Sequence, residues 1–493
     1  MEQRDRWVSK AGFILAAIGS AIGLGNIWRY PYVVYENGGG AFLIPYFIAL
    51  LTAGIPILLM EYVIGHKYKA SAPVGFRKIH RGAEWIGWWQ VIVAFFVVTY
   101  YMAILGWALS YTYYSFGTKW GENTEAFFFN HYLSLSEDFW GFGSIQWKVL
   151  IPFLIVWAVT YWIMQRGVSR GIEVANKILM PILIGMLLIM TIRGVTLPGA
   201  AQGLNVLLTP DFAALADPKV WVQAYGHVFF SLSIAFAIML TYSSYLPEKT
   251  DLTNSGLIAG LANSGFEFMA AIGVFATLGF LAAAQGIAVD EVATAGVGLA
   301  FVVYPQVINA FPFWNSLFGV LFFGSLLFSG FTSAISILEP VVAGVREKFN
   351  LSRKSAVNWV CGFAFLVGLV YTTSGGLRYL DVVDHFTNQY GIVLGGVFEV
   401  ILIAWVAKKL DEFREHANGI SYVRLGSWWD ICLRWITPVL LSGMLLMTLL
   451  DEFSQPYEGY PHSGLIAFGW CVLGIIMVGA LYFTKFRQER GNA

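Results

Sequence analysis

Charged side chains are scarce in this chain. Of its 493 residues only 12% are Asp, Glu, Lys or Arg, whereas soluble domains carry about 25%. The 30 basic and 30 acidic residues balance to a formal net charge of +0. A chain without a basic excess lacks the electrostatic attraction that holds proteins on nucleic acid, so we expect no nucleic-acid partner.

Cysteine is also rare, with three residues in the whole chain. Cys361, Cys432 and Cys471 are scattered through apolar runs, without the spacing of a metal site or a disulfide framework. We expect them to be small buried hydrophobic residues. The stretch MEQRDRWVSK at the start leads into a segment without a small-residue cleavage site, so no removable signal peptide is predicted.

Long apolar runs, by contrast, are abundant. Hydrophobic residues make up 57% of the sequence, and its mean hydropathy is +0.65. Runs of about 20 apolar residues can cross a bilayer as helices, so we predict an all-α multi-pass membrane protein with one transmembrane domain, residues 1–493. Twelve segments are predicted, at about 10–36, 41–65, 87–116, 147–165, 171–194, 220–246, 253–283, 314–345, 354–373, 382–408, 429–452 and 463–485.

Basic residues are concentrated in alternate loops. They include Arg4, Arg6 and Lys10 at the start, and others follow the second, fourth, eighth, tenth and last segments. The opposite loops carry mainly acidic residues, such as Asp290 and Glu291. By the positive-inside rule both termini are cytoplasmic, and we expect the protein in the plasma (inner) membrane.

The first predicted segment is broken in the middle. Gly19, Gly23 and Gly25 weaken the helix, and Asn26 and Arg29 follow within the same apolar neighbourhood. Irregular backbone at membrane depth is tolerated only where it lines a cavity or is buried in protein, and an Arg there needs a partner or water. A glycine-interrupted span is also typical of a transporter binding site.

The sixth segment, GHVFFSLSIAFAIMLTYSSYLP, is similarly interrupted, with Ser231 and Ser233 in its middle. The first and sixth segments are five apart, which is the spacing of a five-plus-five inverted repeat. We therefore predict a first repeat over about 10–194, a second over about 220–408, and two additional helices over about 429–485.

Polar residues inside other segments add candidates for a site. Asn263 and Glu267 share one helix face, and an intramembrane Glu is a functional candidate, although a protonated Glu hydrogen-bonded between helices is the alternative. Ser329, Thr332 and Ser333 also share a face, where their oxygens suit a small hard cation, or where they simply bond back to the preceding turn.

Two further features lie nearer the outer side. Tyr100 and Tyr101 could offer a hydroxyl to a ligand or belong to an interfacial aromatic belt. Asp381 and Asp384 near the outer end of the tenth segment could pair with Arg29 as a gate, whereas a solvated acid at a helix start is the alternative for Asp384.

The stretch GSAIGLGNIWRYPYVVYENGGGAFLIPY resembles the first-span signature of the neurotransmitter:sodium symporter family. HVFFSLSIAF, the ANS motif, SGFTS and the Asp of the tenth segment follow in that family's order, so the resemblance covers essentially the whole chain. It implies a leucine-transporter-like fold with unwound first and sixth helices, two bound sodium ions, no organic cofactor and an amino-acid substrate.

The resemblance also implies a set of site residues. The first sodium would be bound by the Ala21 carbonyl, Asn26, Ser231, Asn263 and the substrate carboxylate. The second would be bound by the carbonyls of Gly19, Ile22 and Ser329 and the hydroxyls of Thr332 and Ser333. The implied substrate contacts are Ala21, Leu24, Gly25, Val97, Tyr101, Phe230, Ser231, Ser233, Phe236, Ser333 and Ile337.

Gates on both sides are implied in the same way. The outer gate would be Arg29 with Asp384, capped by Phe230 and Tyr101. The inner gate would be formed by Arg4, Glu347, Trp7, Ser244 and Tyr245.

Positions at which this chain differs from other members of the family bear on its substrate and its ions. Gly23 stands where monoamine carriers place an Asp, which favours an amino acid over a monoamine. Glu267 stands where chloride-dependent members have a Ser, so chloride independence and proton counter-transport are expected. His227 replaces a Gln and either shares a proton with Glu267 or packs as a neutral residue. Ala235 and Ala237 replace glycines of the unwound sixth span, which puts the side-chain preference in doubt.

The expected function is sodium-coupled import of a neutral amino acid by alternating access. A β- or ω-amino acid or a taurine-like solute is the alternative substrate, and a proton-coupled permease of the same architecture is the alternative mechanism. An enzyme is disfavoured because the seven His are dispersed and the intramembrane acids lack a partner base. A channel is disfavoured by gates on both sides, and the oligomeric state is left open.

Overall fold

The computed structural model describes residues 5–485 and is almost entirely helical. In that part of the chain, pairing of extended backbone is limited to two isolated bridges, Gly39 with Pro210 and Ile145 with Thr373. The main helices are α1 Lys10–Ala21, α2 Leu24–Trp28, α3 Tyr30–Glu36, α4 Gly40–Tyr68, α5 Ala72–Ile79, α6 Glu84–Tyr114, α7 Trp147–Gln165, α8 Val168–Val195, α9 Ala200–Leu208, α10 Pro218–Ser231, α11 Ile238–Ser244, α12 Leu252–Gln285, α13 Gly296–Ala310, α14 Asn315–Phe349, α15 Arg353–Thr372, α16 Gly376–Val406, α17 Leu410–Ile420, α18 Ser427–Gly459 and α19 His462–Lys485.

Ten of the described helices are long and apolar enough to cross a membrane. Each overlaps one of the predicted apolar segments; the bounds agree within four residues except at the start of α16, which is six residues earlier than predicted, and at the end of α18, which is seven residues later. The two predicted segments that are not among the ten are the first and the sixth. The first is divided into α1, α2 and α3, and the sixth into α10 and α11.

Helix α6 lies at the centre of the molecule and packs along α14, α7 and α19. Its bulky side chains Trp88, Tyr100, Trp107 and Tyr111 are completely or almost completely buried. Helix α6 is therefore held in place by close side-chain packing along most of its length.

The divided segments are held by close helix contacts. A Cβ atom added to Gly65 on α4 would lie 1.9 Å from the carbonyl oxygen of Leu240 on α11, so only glycine permits this approach. Helix α1 packs against α8, α12 and α14. On the other side of the break, Trp28 contacts Phe301 of α13, with ring centroids 6.3 Å apart, so α13 packs against the second part of the first divided segment.

Candidate functional site

The first break consists of two residues, Ile22 and Gly23. The N–H of Ile22 still donates to the carbonyl oxygen of Ile18 at 2.7 Å, but its ψ of 90° leaves the helix, and Gly23 is extended with φ −109° and ψ −170°. The Asn26 side-chain oxygen then accepts from the Gly23 N–H at 2.8 Å. Asn26 therefore caps the new helix and stabilises the break locally.

The carbonyl groups at the end of α1 have lost their helical partners. The Ser233 hydroxyl donates to the Ser20 carbonyl oxygen at 2.9 Å. The Ser333 hydroxyl lies 3.3 Å from the carbonyl oxygens of Ser20 and Ile22 and 3.4 Å from that of Gly19. Two predicted substrate residues thus converge on the bare end of the first helix.

The second break extends from the end of α10 at Ser231 to the start of α11 at Ile238. Ser233, Ala235 and Ala237 have positive φ values of 53°, 62° and 61°, a region that is costly for residues other than glycine. The buried Glu61 carboxylate accepts from the Ala235 N–H at 2.5 Å. Contacts from neighbouring helices therefore hold this stretch in an unfavourable backbone conformation.

Three predicted ligands of the first sodium meet between the two breaks. The Asn26 amide nitrogen donates to the Asn263 side-chain oxygen at 2.9 Å, and the Asn263 amide nitrogen donates to the Ser231 hydroxyl at 2.6 Å. All three are nearly fully buried. Ala21, the fourth predicted ligand residue, is the buried last residue of α1.

Glu267 lies directly beside this cluster. One of its carboxylate oxygens accepts from Ser231 at 2.5 Å, from His227 at 2.9 Å and from Asn26 at 3.0 Å. The other accepts from the Tyr46 hydroxyl at 2.5 Å. The fully buried Glu267 carboxylate thus accepts four hydrogen bonds, and hydrogen bonds to a charged group are stronger than those between neutral groups. The sequence did not single out Tyr46, which lies in an ordinary apolar run.

Two of the three hydroxyl residues of α14 bond back to their own helix, whereas the Ser333 hydroxyl faces the end of α1. The Ser329 hydroxyl donates to the Leu326 carbonyl oxygen at 3.0 Å, and the Thr332 hydroxyl to the Ser329 carbonyl oxygen at 2.9 Å. This is the back-bonding that the sequence left open. The Thr332 side chain nevertheless faces α1, since a Cβ on Gly19 would lie 3.2 Å from the Thr332 Cβ.

A predicted substrate pocket lies beside the first break. The Leu24 N–H lies 3.4 Å from the Tyr101 hydroxyl oxygen. A Cβ added to Gly23 would meet the Ser333 hydroxyl at 3.2 Å, and one added to Gly25 would meet the Phe230 ring at 3.1 Å. The two glycines therefore leave room exactly where side chains from three other helices approach the backbone.

The remaining predicted pocket residues are buried and apolar. Val97 on α6 is one turn before Tyr101, and Ile337 on α14 is one turn after Ser333, so each pair shares a helix face. Phe236 lies in the second break and is also buried.

On the predicted outer side the two gate residues are not in direct contact. Among the described residues Arg29 forms no ion pair with Asp384; its guanidinium lies 5.8 Å from the centre of the Phe230 ring. Asp384 accepts from Asn388 at 2.7 Å. A cavity of about 600 Å³ borders Arg29 and Phe230 and is also lined by Tyr457.

The predicted inner gate is closely packed. The Trp7 indole N–H donates to the Tyr242 carbonyl oxygen at 2.7 Å. The backbone N–H of Trp7 donates to the Tyr245 carbonyl oxygen at 3.3 Å. The Ser244 hydroxyl donates to the Thr241 carbonyl oxygen, and Glu347 accepts from the Ser71 N–H at 2.6 Å. Arg4, the predicted partner of Glu347, lies outside the described residues.

Sequence reasoning missed an ion-pair network at the same place. Asp5 pairs with Arg346 at 2.7 Å and with Arg353 at 3.1 Å. Arg353 also pairs with the fully buried Glu339 at 2.7 Å, and Glu339 accepts from the Tyr245 hydroxyl at 2.8 Å. An acid in the apolar run SAISILEP was a visible signal, because a buried carboxylate requires a partner.

Comparisons with known proteins agree with this architecture. The model of the sodium:neurotransmitter symporter family matches residues 4–125 and 118–489. An uncharacterized sodium-dependent transporter of Methanocaldococcus jannaschii is 40% identical over 489 residues, covering 99% of both chains. The sodium- and chloride-dependent taurine transporter of Bos taurus is 31% identical over 540 residues, covering 99% of this chain and 86% of its own.

A solved structure also matches. The crystal structure of MhsT in complex with L-phenylalanine superimposes with a TM-score of 0.75 at 32% identity, covering 90% of this chain and 99% of MhsT. On these grounds, this chain belongs to the sodium:neurotransmitter symporter family.

Proposed function

We propose that this protein imports a neutral amino acid together with sodium by alternating access. The divided first and sixth segments complete twelve crossings with the ten continuous helices, and the two repeats span about 10–194 and 220–408, followed by two helices over about 429–485. Both termini are cytoplasmic, in the plasma membrane. Transport without enzymatic turnover fits a family of secondary transporters.

The observation that carries this proposal is the oxygen-rich cluster between the two breaks. The Asn263 side chain lies 2.9 Å from the Asn26 amide and 2.6 Å from the Ser231 hydroxyl, in a buried site. Oxygen donors suit a hard cation, so this set fits a first sodium. The end of α1 beside Ser333 and Thr332 fits a second.

Substrate and sodium bind cooperatively in this scheme. The amino-acid carboxylate is held near the Leu24 N–H and the Tyr101 hydroxyl, beside Asn26, where it completes the coordination of the first ion. Each ligand then raises the affinity of the other by the same factor. Sodium moving down its gradient thereby drives the substrate inward.

The pocket favours a neutral amino acid with an apolar side chain. Its walls are Val97, Phe236, Ile337 and the ring of Phe230, while Gly23 offers no counter-charge for a monoamine. The similarity to MhsT, crystallised with L-phenylalanine, supports this class. A β- or ω-amino acid or a taurine-like solute is the second candidate, supported by the similarity to taurine transporters.

Glu267 replaces chloride in this proposal. Its carboxylate lies 2.5 Å from the Ser231 hydroxyl and 3.0 Å from the Asn26 amide, so a fixed negative charge is already present beside the first sodium. The contact with His227 at 2.9 Å offers a path for a counter-transported proton. The two side chains are only 1% and 0% exposed, so the proton passes between them without direct contact with solvent.

A binding screen tests the function directly. Purified protein is titrated with L-amino acids, β-alanine, GABA and taurine, each in sodium and in potassium. We expect sodium-dependent binding of a neutral L-amino acid, abolished by Asn26→Leu. Equal affinity in both salts would contradict sodium coupling and favour the proton-coupled permease, and preference for taurine would select the second substrate class.

Liposome uptake tests the role of Glu267. Wild-type uptake should be unchanged when chloride is replaced by gluconate, whereas Glu267→Ser should require chloride. Uptake should also be stimulated by an acidic lumen if a proton leaves in exchange. Chloride-dependent uptake by the wild type would refute the assignment of Glu267.

A further inference from the structure

Asn176 on α8 has a buried oxygen that none of the described contacts explains. The side chain is 0% exposed. Its amide nitrogen donates to the Ile172 carbonyl oxygen at 2.9 Å, whereas its Oδ1 atom has no hydrogen-bond partner among the described residues. A buried acceptor without a donor costs about 1–3 kcal/mol, so its retention requires an explanation.

The orientation of the amide follows from its surroundings. A backbone carbonyl can only accept, so the nitrogen of Asn176 must face Ile172. The oxygen therefore points the other way, toward α1. A Cβ added to Gly19 would lie 2.3 Å from this oxygen, which means that nothing larger than the glycine hydrogens separates Oδ1 from the backbone of α1.

The same face of Gly19 is bordered by the predicted second sodium site. A Cβ atom added to Gly19 would lie 3.2 Å from the Thr332 Cβ. The Gly19 carbonyl oxygen lies 3.4 Å from the Ser333 hydroxyl. Asn176 and Thr332 therefore flank one glycine from two different helices. An amide oxygen is a good ligand for a hard cation.

We propose that Asn176 contributes an additional oxygen ligand to the second sodium ion. This inference rests on the proposed sodium-coupled function. It adds α8 to the elements that hold this ion, together with α1 and α14, so that movement of α8 relative to α1 alters the coordination. Asn176 is thus a residue that sets the affinity and the release rate of the ion.

The inference is tested by equilibrium binding and dissociation of radioactive sodium in detergent, without amino acid. The Asn263→Ala background weakens the first site, so the remaining affinity reports the second. Asn176→Leu removes the oxygen at similar volume and should weaken sodium binding about fivefold to tenfold, with faster dissociation. Asn176→Asp adds a charge and should change both quantities in the opposite direction.

Two controls separate this inference from the proposed function. Met180 is the second side chain of α8 that faces Gly19, with its sulfur 3.0 Å from a Cβ atom added to Gly19, so Met180→Leu should leave sodium affinity unchanged. Thr332→Ala should weaken binding if the second site exists. If Thr332→Ala has this effect but both Asn176 variants bind like the background protein, the amide is only a packing contact and the inference is wrong.

If neither wild type nor any variant binds sodium, the proposed function itself fails. Should Asn176→Leu not fold, the opposite shift expected for Asn176→Asp still decides the question.

Discussion

The two divided helices reach the same result by different physical means. The glycines at and beside the first break, Gly19, Gly23 and Gly25, all have negative φ values that other residues could adopt. They are needed because neighbouring side chains would lie within 2.3–3.2 Å of a Cβ atom added to each of them. The second break has no glycine between Ser231 and Ile238 and has three non-glycine residues at positive φ. Glycine is thus required at the first break because larger side chains would clash with neighbouring helices. At the second break, residues with a Cβ atom are held in a strained backbone conformation.

This difference has a consequence for mutation. A side chain added at the first break should damage the binding site, because it occupies volume that ions or other side chains use. A side chain removed at the second break should stabilise the protein, because glycine relieves the left-handed strain. Substitutions at each break, and at the contacts that anchor each divided helix, test this contrast.

The largest effect is expected for Gly19→Ala. The added methyl group would overlap Asn176 at 2.3 Å and touch Met180 and Thr332 at 3.0 and 3.2 Å, so α1 must move away from α8 and α14. We expect sodium affinity to fall by about 100-fold, since overpacking and lost ligand geometry together cost about 3 kcal/mol. Sodium-dependent binding of radiolabelled substrate measures it.

Gly185→Ala on α8 is the matched control. A Cβ atom added to Gly185 would meet no atom within 4 Å outside its own stretch of helix. The same substitution at this position of a membrane helix should therefore leave binding unchanged. If Gly19→Ala binds sodium as the wild type does, the first break does not depend on space.

The second prediction concerns the anchor of α1. Glu173 on α8 accepts from the Val8 N–H at 2.7 Å and from the Ser9 hydroxyl at 2.9 Å. Glu173→Gln weakens these charge-assisted bonds, each worth about 1.5–3 kcal/mol. We expect hydrogen exchange of residues 8–21 to rise by about tenfold.

Lys177→Met provides the comparison for Glu173→Gln. Lys177 pairs with Glu173 at 2.7 Å but is 41% exposed, so its loss should change the exchange rates only slightly. Unchanged exchange in Glu173→Gln would show that α1 is held by its apolar packing alone.

Much of this architecture could be predicted from the sequence. The length of the apolar runs predicted the ten continuous helices, because membrane thickness constrains that length directly. The family motifs pointed to Asn26, Ser231 and Asn263, which the structure brings together. The partners Tyr46, Asn176, Arg353 and Glu339 were missed. The acid Glu339 within an apolar run was a visible signal that was not used. The roles of the other three arise from contacts with residues far away in the sequence, such as Arg353 with Asp5, and no local pattern reports these.

The third prediction tests the strained break. Ala235→Gly and Ala237→Gly should each stabilise the protein by about 1 kcal/mol, because a residue with a Cβ in the left-handed region costs about 1–2 kcal/mol. Ala224→Gly, in the regular helix α10, should instead destabilise it by about 1 kcal/mol. Thermal unfolding in detergent measures all three, and destabilisation by both strained-site variants would contradict the assignment of strain.

The smallest effect is expected at the anchor of α11. The Pro247 carbonyl accepts from Nε2 of His66 at 2.8 Å, so the other ring nitrogen of His66 accepts from Nε2 of His416 at 2.9 Å. Partial burial lowers the pKa of His416, and Lys67 and Lys69 lower it further. Helix α17 is thereby connected to the end of the second divided segment through two neutral imidazoles.

The pH dependence follows from the direction of this shift. Because the pKa of His416 is lower in the folded protein, the unfolded chain binds more protons, and the contribution is lost as the pH falls below about 6.5. The thermal midpoint of the wild type relative to His416→Gln should therefore decrease by about 1 °C between pH 7.5 and 5.5. His462→Gln, at an exposed position, should show no such change. A pH-independent difference for His416→Gln would mean that the two imidazoles do not couple α17 to α11, and would leave close packing at Gly65 as the anchor of the second divided helix.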